Sequence, residues 1–167
     1  MNIFFLHFNQ KECAKMHVDK HVVKMILESV QLLSSAHHLH PNKNFKAPYK
    51  LTHKNHPCSI WVRESLSNYL WLVELTKELC EEYTHRYGKK HKSEKYIEDL
   101  KKYNPDIPDI GFTVPRQAMP EVYKSNNNSL EDVIESYRQY YFFEKYNLLS
   151  WKKREIPDFI LDFQQYE

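Results

Sequence analysis

The sequence predicts an all-α fold, a compact helical bundle with a long central helix and a short extended N-terminal arm. Three observations carry this. Apolar residues recur at helical spacing through two long stretches. Those stretches open and close on capping and breaking residues. Glycine occurs only at Gly88 and Gly111, whereas hairpin-rich sheets need it at their tight turns. The 167 residues suit one domain, and we read 1–167 as a single all-α unit.

Residues 2–8 (NIFFLHF) are apolar and β-prone but isolated, as expected of an arm packed on helices. Asn9 can cap a helix, with Glu12 reaching back as the partner of a capping box. This first helix is expected to run to about His38 and stop before Pro41. Val18, Val22, Met25, Ile26, Leu33 and Ala36 form its core stripe. A polar loop over 41–56 follows. Pro57 then suits the first turn of a second helix that ends at Gly88, with His85 and Arg86 in its last turn. At about 30 residues it would be roughly 45 Å long and central. Ser93 can cap a shorter third helix. Residues 104–128, rich in Pro and Asn, read as one long ordered loop. Ser129 with Asp132 opens a fourth helix to Tyr146, and Pro157 opens a short last one.

Composition excludes several function classes. Lys and Arg number 24 against 22 Asp and Glu, a net charge of +2. That is no polycation, although a local basic patch remains compatible with it. Two glycines cannot spell the Gly-rich phosphate loops. Cys13, Cys58 and Cys80 are odd in number and form no C-x-x-C, so we expect reduced core thiols and a cytoplasmic location. No secretory signal is visible, and the longest apolar run, Tyr69–Val73, is far too short to span a bilayer. No cofactor is expected.

The first helix carries most of the chemistry. His17, His21, Lys24, Glu28 and Gln31 share one stripe, flanked by Lys20, while Asp19 points the other way. Such a stripe is often only a solvated face. Two imidazoles, two lysines and a carboxylate are nevertheless an unusual mixture for a plain surface. Glu28 could hold Lys24 charged, or paired ammonium groups could lower one lysine's pKa and make it nucleophilic.

Basic residues recur elsewhere. Lys50, Lys54, His56 and Arg63 surround the start of the second helix, where free amides suit a phosphate. Trp61 is expected in the core. In EYTHRYGKKHKS, Arg86, Lys89 and Lys90 interleave with aromatics, a weak nucleic-acid signature. Arg116 and Gln117 sit rigidly between two prolines and suit a phosphate or a base edge. Residues 137–145 read as core aromatics with a basic rim. Ten histidines, with His17-x-x-x-His21 at helical ligand spacing, raise a metal site, but no H-E-x-x-H motif is present.

The strings HVDKHVVKMILES, HKNHPCSIWVRES, EYTHRYGKKHKS and RQAMPEVYK resemble an uncharacterised family of large DNA phages and giant viruses. Met1–His7, the first helix, and His56-Pro57 ahead of a helix ending near Arg86-Tyr87-Gly88 also resemble the pyrimidine-dimer DNA glycosylase family. The second resemblance implies a compact all-α fold that flips out a nucleotide, attacks its sugar with an amine and cuts the strand through an imine. That family uses an α-amine exposed by removal of Met from a small second residue. Here the second residue is the bulkier Asn2, so Met1 is expected to stay. Asp19 and Glu28 are the carboxylates available for the family's catalytic glutamate.

The resulting expectation is a DNA-acting base-excision enzyme with DNA as its partner and no membrane. Glu28 or Asp19 would be its carboxylate, Lys20 or Lys24 its amine, and His17 or His21 its proton carriers. A metal-dependent hydrolase built on the histidines and a non-catalytic nucleic-acid adaptor are the competing readings.

Overall fold

A computed structural model describes residues 1–166. Among these the fold is all-helical, with seven α-helices and no strand. They are α1 (Gln10–Met16), α2 (Asp19–Leu39), α3 (Pro57–Glu64), α4 (Leu66–Tyr87), α5 (Ile97–Lys102), α6 (Leu130–Glu144) and α7 (Asp158–Gln164). Single 3₁₀ turns occupy Glu94–Tyr96, Glu121–Tyr123 and Tyr146–Leu148.

The N-terminal arm is the hub of the core. Ile3, Phe4, Phe5 and Leu6 are all buried. Phe5 meets Trp61 edge-on and stacks on Trp71, at centroid distances of 5.0 and 4.9 Å. Arg138 donates to the Leu6 carbonyl and so ties the arm to α6. The six core residues read from the first-helix stripe are buried, and so is Trp61.

Both long helices expected from the sequence are broken in two. The first breaks at His17 and Val18, which are extended. Tertiary partners satisfy the backbone groups that a continuous helix would have paired. Arg86 takes the carbonyls of Lys15 and His17, Trp151 takes that of Met16, and Val18 N–H donates to the Tyr141 hydroxyl. The second breaks at Ser65, where Leu66 N–H donates to the Pro108 carbonyl. Asp109 caps the start of α4 by accepting from Ser65 Oγ and Ser67 Oγ. Central α4 is therefore 22 residues, roughly 33 Å, instead of the longer rod expected.

Other termini differ in detail. Asn9 accepts from Glu12 N–H as expected, but Glu12 pairs with Lys15, and Asn9 N–H goes to His7 Nδ1. Ser93 makes no side-chain cap bond. Ser129 caps α6 through Asp132 N–H, and Gly88 ends α4 in the left-handed region at φ 68°. The 104–128 loop is pinned along its length. Thr113 exchanges bonds with Asn68, Trp61 Nε1 donates to the Thr113 carbonyl, and Tyr137 bonds both Arg116 and Ala118.

Candidate active site

The break between α1 and α2 separates the residues of the first-helix stripe. His17 lies in the break, buried, with Nδ1–H donating to the Cys13 carbonyl at 2.7 Å. Burial pushes its pKa down to about 4, against the pull of that carbonyl. It is a packing residue rather than a proton carrier.

His21 begins a second environment. Its ring stacks on Phe4 at 4.7 Å. Tyr141 Oη accepts from Val18 N–H and bonds His21 Nδ1 at 3.0 Å. The bond to Tyr141 fixes the orientation of the ring. Burial, and then the charges of neighbouring groups, lower its pKa to about 3. At neutral pH it offers a fixed hydrogen bond rather than a mobile proton.

Glu28 lies one helical turn beyond Lys24 and two beyond His21. It is buried, although a carboxylate normally stays in water. Its Oε2 accepts from Asn2 N–H at 3.2 Å and lies 3.7 Å from the Met1 α-amine. Its Oε1 faces Lys24 Nζ at 3.4 Å. Together Met1, Asn2, Phe4, His21, Lys24, Met25, Glu28, Tyr140 and Lys145 line a cleft of about 140 Å³.

Asn2 holds this corner together. Its Oδ1 accepts from Ile3 N–H and from Cys58 Sγ, and its Nδ2 donates to the Ala118 carbonyl. The start of α3 and the Pro115–Pro120 segment are thereby held against Glu28. His56 caps α3 by accepting from Cys58 N–H at Nδ1. Its pKa is lowered by burial and then by the charge of the Met1 amine.

The remaining sequence candidates divide into tied and free groups. Arg86 is fully buried, with 0 % exposure. It spends its donors on Glu82, Asp19 and the carbonyls of Lys15 and His17. No donor faces solvent, so the expectation that it binds phosphate is corrected. Asp19, occupied by Arg86, Ser150 and Lys152 N–H, is likewise not the site carboxylate. Gln117 is closed onto Ser125 by two bonds, which use one of its amide N–H groups and its carbonyl oxygen. Arg63 donates to the Lys54 carbonyl and Ser59, and Arg116 pairs with Glu64.

Lys20, Lys50, Lys54, Lys89 and Lys90 are exposed. The hydrogen bond between Tyr49 and Ser93 at 2.8 Å brings Lys50 beside the turn that carries Lys89 and Lys90. Lys90 also pairs with Glu94 at 3.5 Å.

Sequence reasoning missed Tyr140 and Lys145, which it assigned to a core-and-rim segment. They reach the cleft only through the packing of α6, and no local pattern marks them. Among the described residues no three His, Cys, Asp or Glu side chains converge to hold a metal ion. The histidine-cluster reading therefore has no ligand set.

An all-α protein with a buried carboxylate set between an α-amine and a lysine is the class that fold and cleft define. The family model described as pyrimidine dimer DNA glycosylase matches residues 1–103, and the chain belongs to that family. Membership gives it a DNA-glycosylase-like character in DNA repair, with DNA as its substrate. No curated protein and no solved structure matches it. Among the described residues no helix is long and apolar enough to cross a membrane.

Proposed function

We propose that this chain excises a damaged base by amine attack on the deoxyribose, with Glu28 as the site carboxylate. The observation that carries the reading is Glu28 itself, a buried carboxylate facing two amines across one small cleft.

In the proposed reaction the nitrogen lone pair of the amine forms a bond to C1′. The glycosidic bond breaks, and its electron pair leaves with the base, which takes up a proton. Loss of the amine proton and opening of the sugar ring at O4′ then leave an imine at C1′. Water hydrolyses this to an abasic site. Alternatively, removal of a C2′ proton expels the 3′ phosphate and nicks the strand, which is the lyase branch. Glu28 offsets the positive charge that develops on the sugar and exchanges protons with the amine.

The Met1 α-amine is the favoured nucleophile. It belongs to the buried arm and lies 3.7 Å from Glu28 Oε2. Lys24, with most of its side chain in solvent, then serves as a phosphate contact with Lys20, Lys50, Lys54, Lys89 and Lys90. His56 sits at the start of α3, near the Met1 amine and Glu28. A cytoplasmic location agrees with three buried, free cysteines.

The test is base release and nicking of UV-irradiated duplex by wild type and Glu28→Gln under single-turnover conditions. The amide keeps the shape of the side chain but loses its charge. A rate loss of 100-fold or more is expected, with duplex affinity nearly unchanged. An unimpaired Glu28→Gln variant overturns the assignment.

A further inference from the structure

We propose that Lys145 holds a phosphate bonded to the attacked sugar, so that the cleft seats an anion beside the reacting carbon. This rests on the glycosylase reading and assigns the charged part of the substrate in the same cleft.

The cleft is unbalanced in charge. Among the described residues that line it, the Met1 α-amine, Lys24 and Lys145 are positive and Glu28 is the one carboxylate. Glu28 is already engaged by the Met1 amine, by Asn2 N–H and by Lys24. Glu144, next to Lys145 in the chain, accepts from the Tyr123 hydroxyl. Lys145 is thereby left without a carboxylate partner among the described residues.

The ammonium of Lys145, and not its stem alone, belongs to the cleft. Its Nζ lies 5.2 Å from the centre of the Tyr140 ring. After burial, its charge is among the causes of the lowered His21 pKa. Both rings line the cleft. Lys145 is half-buried, whereas Lys24 has most of its side chain in solvent. The backbone fixes where the side chain starts, because Lys145 ends α6 with its N–H donating to the Tyr141 carbonyl at 3.1 Å. A cation partly removed from water is costly until an anion meets it.

Size selects which anion of the DNA that is. The cleft volume of about 140 Å³ is well below the roughly 300 Å³ at which sites for whole small ligands begin, so it takes part of a nucleotide. Glu28 and the amine act at C1′. The phosphates nearest to that atom are the two on O3′ and O5′ of the same sugar. One of them, held by Lys145, fixes the sugar in front of the amine. Lys145 lies beyond residues 1–103, the segment matched by the family model.

The probe is an abasic duplex in which the linkage on the 3′ or the 5′ side of the abasic sugar is a neutral methylphosphonate. Rates of borohydride trapping are compared for wild type, Lys145→Met and Lys145→Arg on these two duplexes and on the unmodified abasic duplex. We expect Lys145→Met to trap the unmodified duplex about ten- to 150-fold more slowly than wild type, the range for one hydrogen bond to a charged group. Lys145→Arg should recover most of that rate. Wild type should lose a similar factor on one of the two neutral linkages, and Lys145→Met should lose no more there. Lys145→Gln is read in the same way should Lys145→Met not fold. A variant as sensitive as wild type to each neutral linkage, or an unimpaired Lys145→Met, overturns the phosphate role and leaves the glycosylase reading intact. Wild type that traps on neither unmodified abasic nor UV-irradiated duplex removes both.

Discussion

Glu28 shows how much a single position can mean and how little of that is local. In the sequence it is one carboxylate on a mixed stripe, equally compatible with a surface salt bridge to Lys24. Its meaning comes from the arm, which brings Met1 and Asn2 to within 3.7 and 3.2 Å of it across the fold. The two histidines of the same stripe were legible as special but not as what they are. Burial makes both neutral, one a packing group and one a ring held in place by Tyr141. His17, His21 and His37 have pKa values lowered to about 4, 3 and 4. The unfolded chain, with imidazoles near 6.5, binds protons that the folded chain refuses. Their contribution to stability is therefore complete above about pH 6.5 and declines as the pH falls toward 4. Each costs at most about 1.4 kcal/mol per pH unit in that window. Thermal melts at pH 5 should show a lower midpoint than melts at pH 7. An unchanged midpoint contradicts the neutral, buried assignment of these rings.

The element scale explains why the long helices were overestimated. Hydrophobic periodicity runs unbroken through both breaks, because the residues on either side still face one core. The breaks are made by distant partners. Arg86 on α4 closes α1 and holds Asp19 at the start of α2, while Glu82 binds both Arg86 and Arg154. Such a network is invisible to a window of ten residues, which is why Arg86 read as a surface cation. Removing one member of a buried charge network leaves the others unpaired, at a cost of about 3–5 kcal/mol. Arg86→Ala should therefore lower the free energy of denaturant unfolding by that amount. A loss under 1 kcal/mol would show that the network is not what fixes the break. Caps fared better than lengths. Asn9, Ser129 and Gly88 act locally, and each was found at its expected helix end. Asp109, a cap supplied from a loop more than 40 residues away in sequence, was not. Its removal in Asp109→Ala should lower stability through the lost cap, a loss visible in the same unfolding assay.

For the whole molecule, the near-neutral balance of +2 conceals an uneven surface. Buried cations such as Arg86 and paired ones such as Arg116 count toward the total but offer little to DNA. The exposed lysines Lys20, Lys50, Lys54 and Lys89 are the cations proposed to meet it. Removing one lysine that neutralises a phosphate should flatten the dependence of log K on log salt by about 0.9. Lys50→Ala combined with Lys89→Ala should reduce the slope for duplex binding by roughly two, whereas Glu28→Gln should leave it unchanged. A slope insensitive to both lysines would move the interface elsewhere. The fold class and the arm were readable from composition and periodicity, and helical spacing put His21, Lys24 and Glu28 on one side of α2 but wrongly joined His17 to them. The closing of the site by the arm, by α6 and by the 104–128 loop was not, because those contacts exist only once the chain is folded.

The measurement that tests the central claim most directly is borohydride trapping on UV-irradiated duplex, followed by peptide mapping of the attachment. The account predicts a damage-dependent covalent band, its loss in Glu28→Gln, and attachment at the Met1 α-amine. Attachment at Lys20, or a band that persists in Glu28→Gln, would contradict a reaction centred on Glu28 and the α-amine it faces.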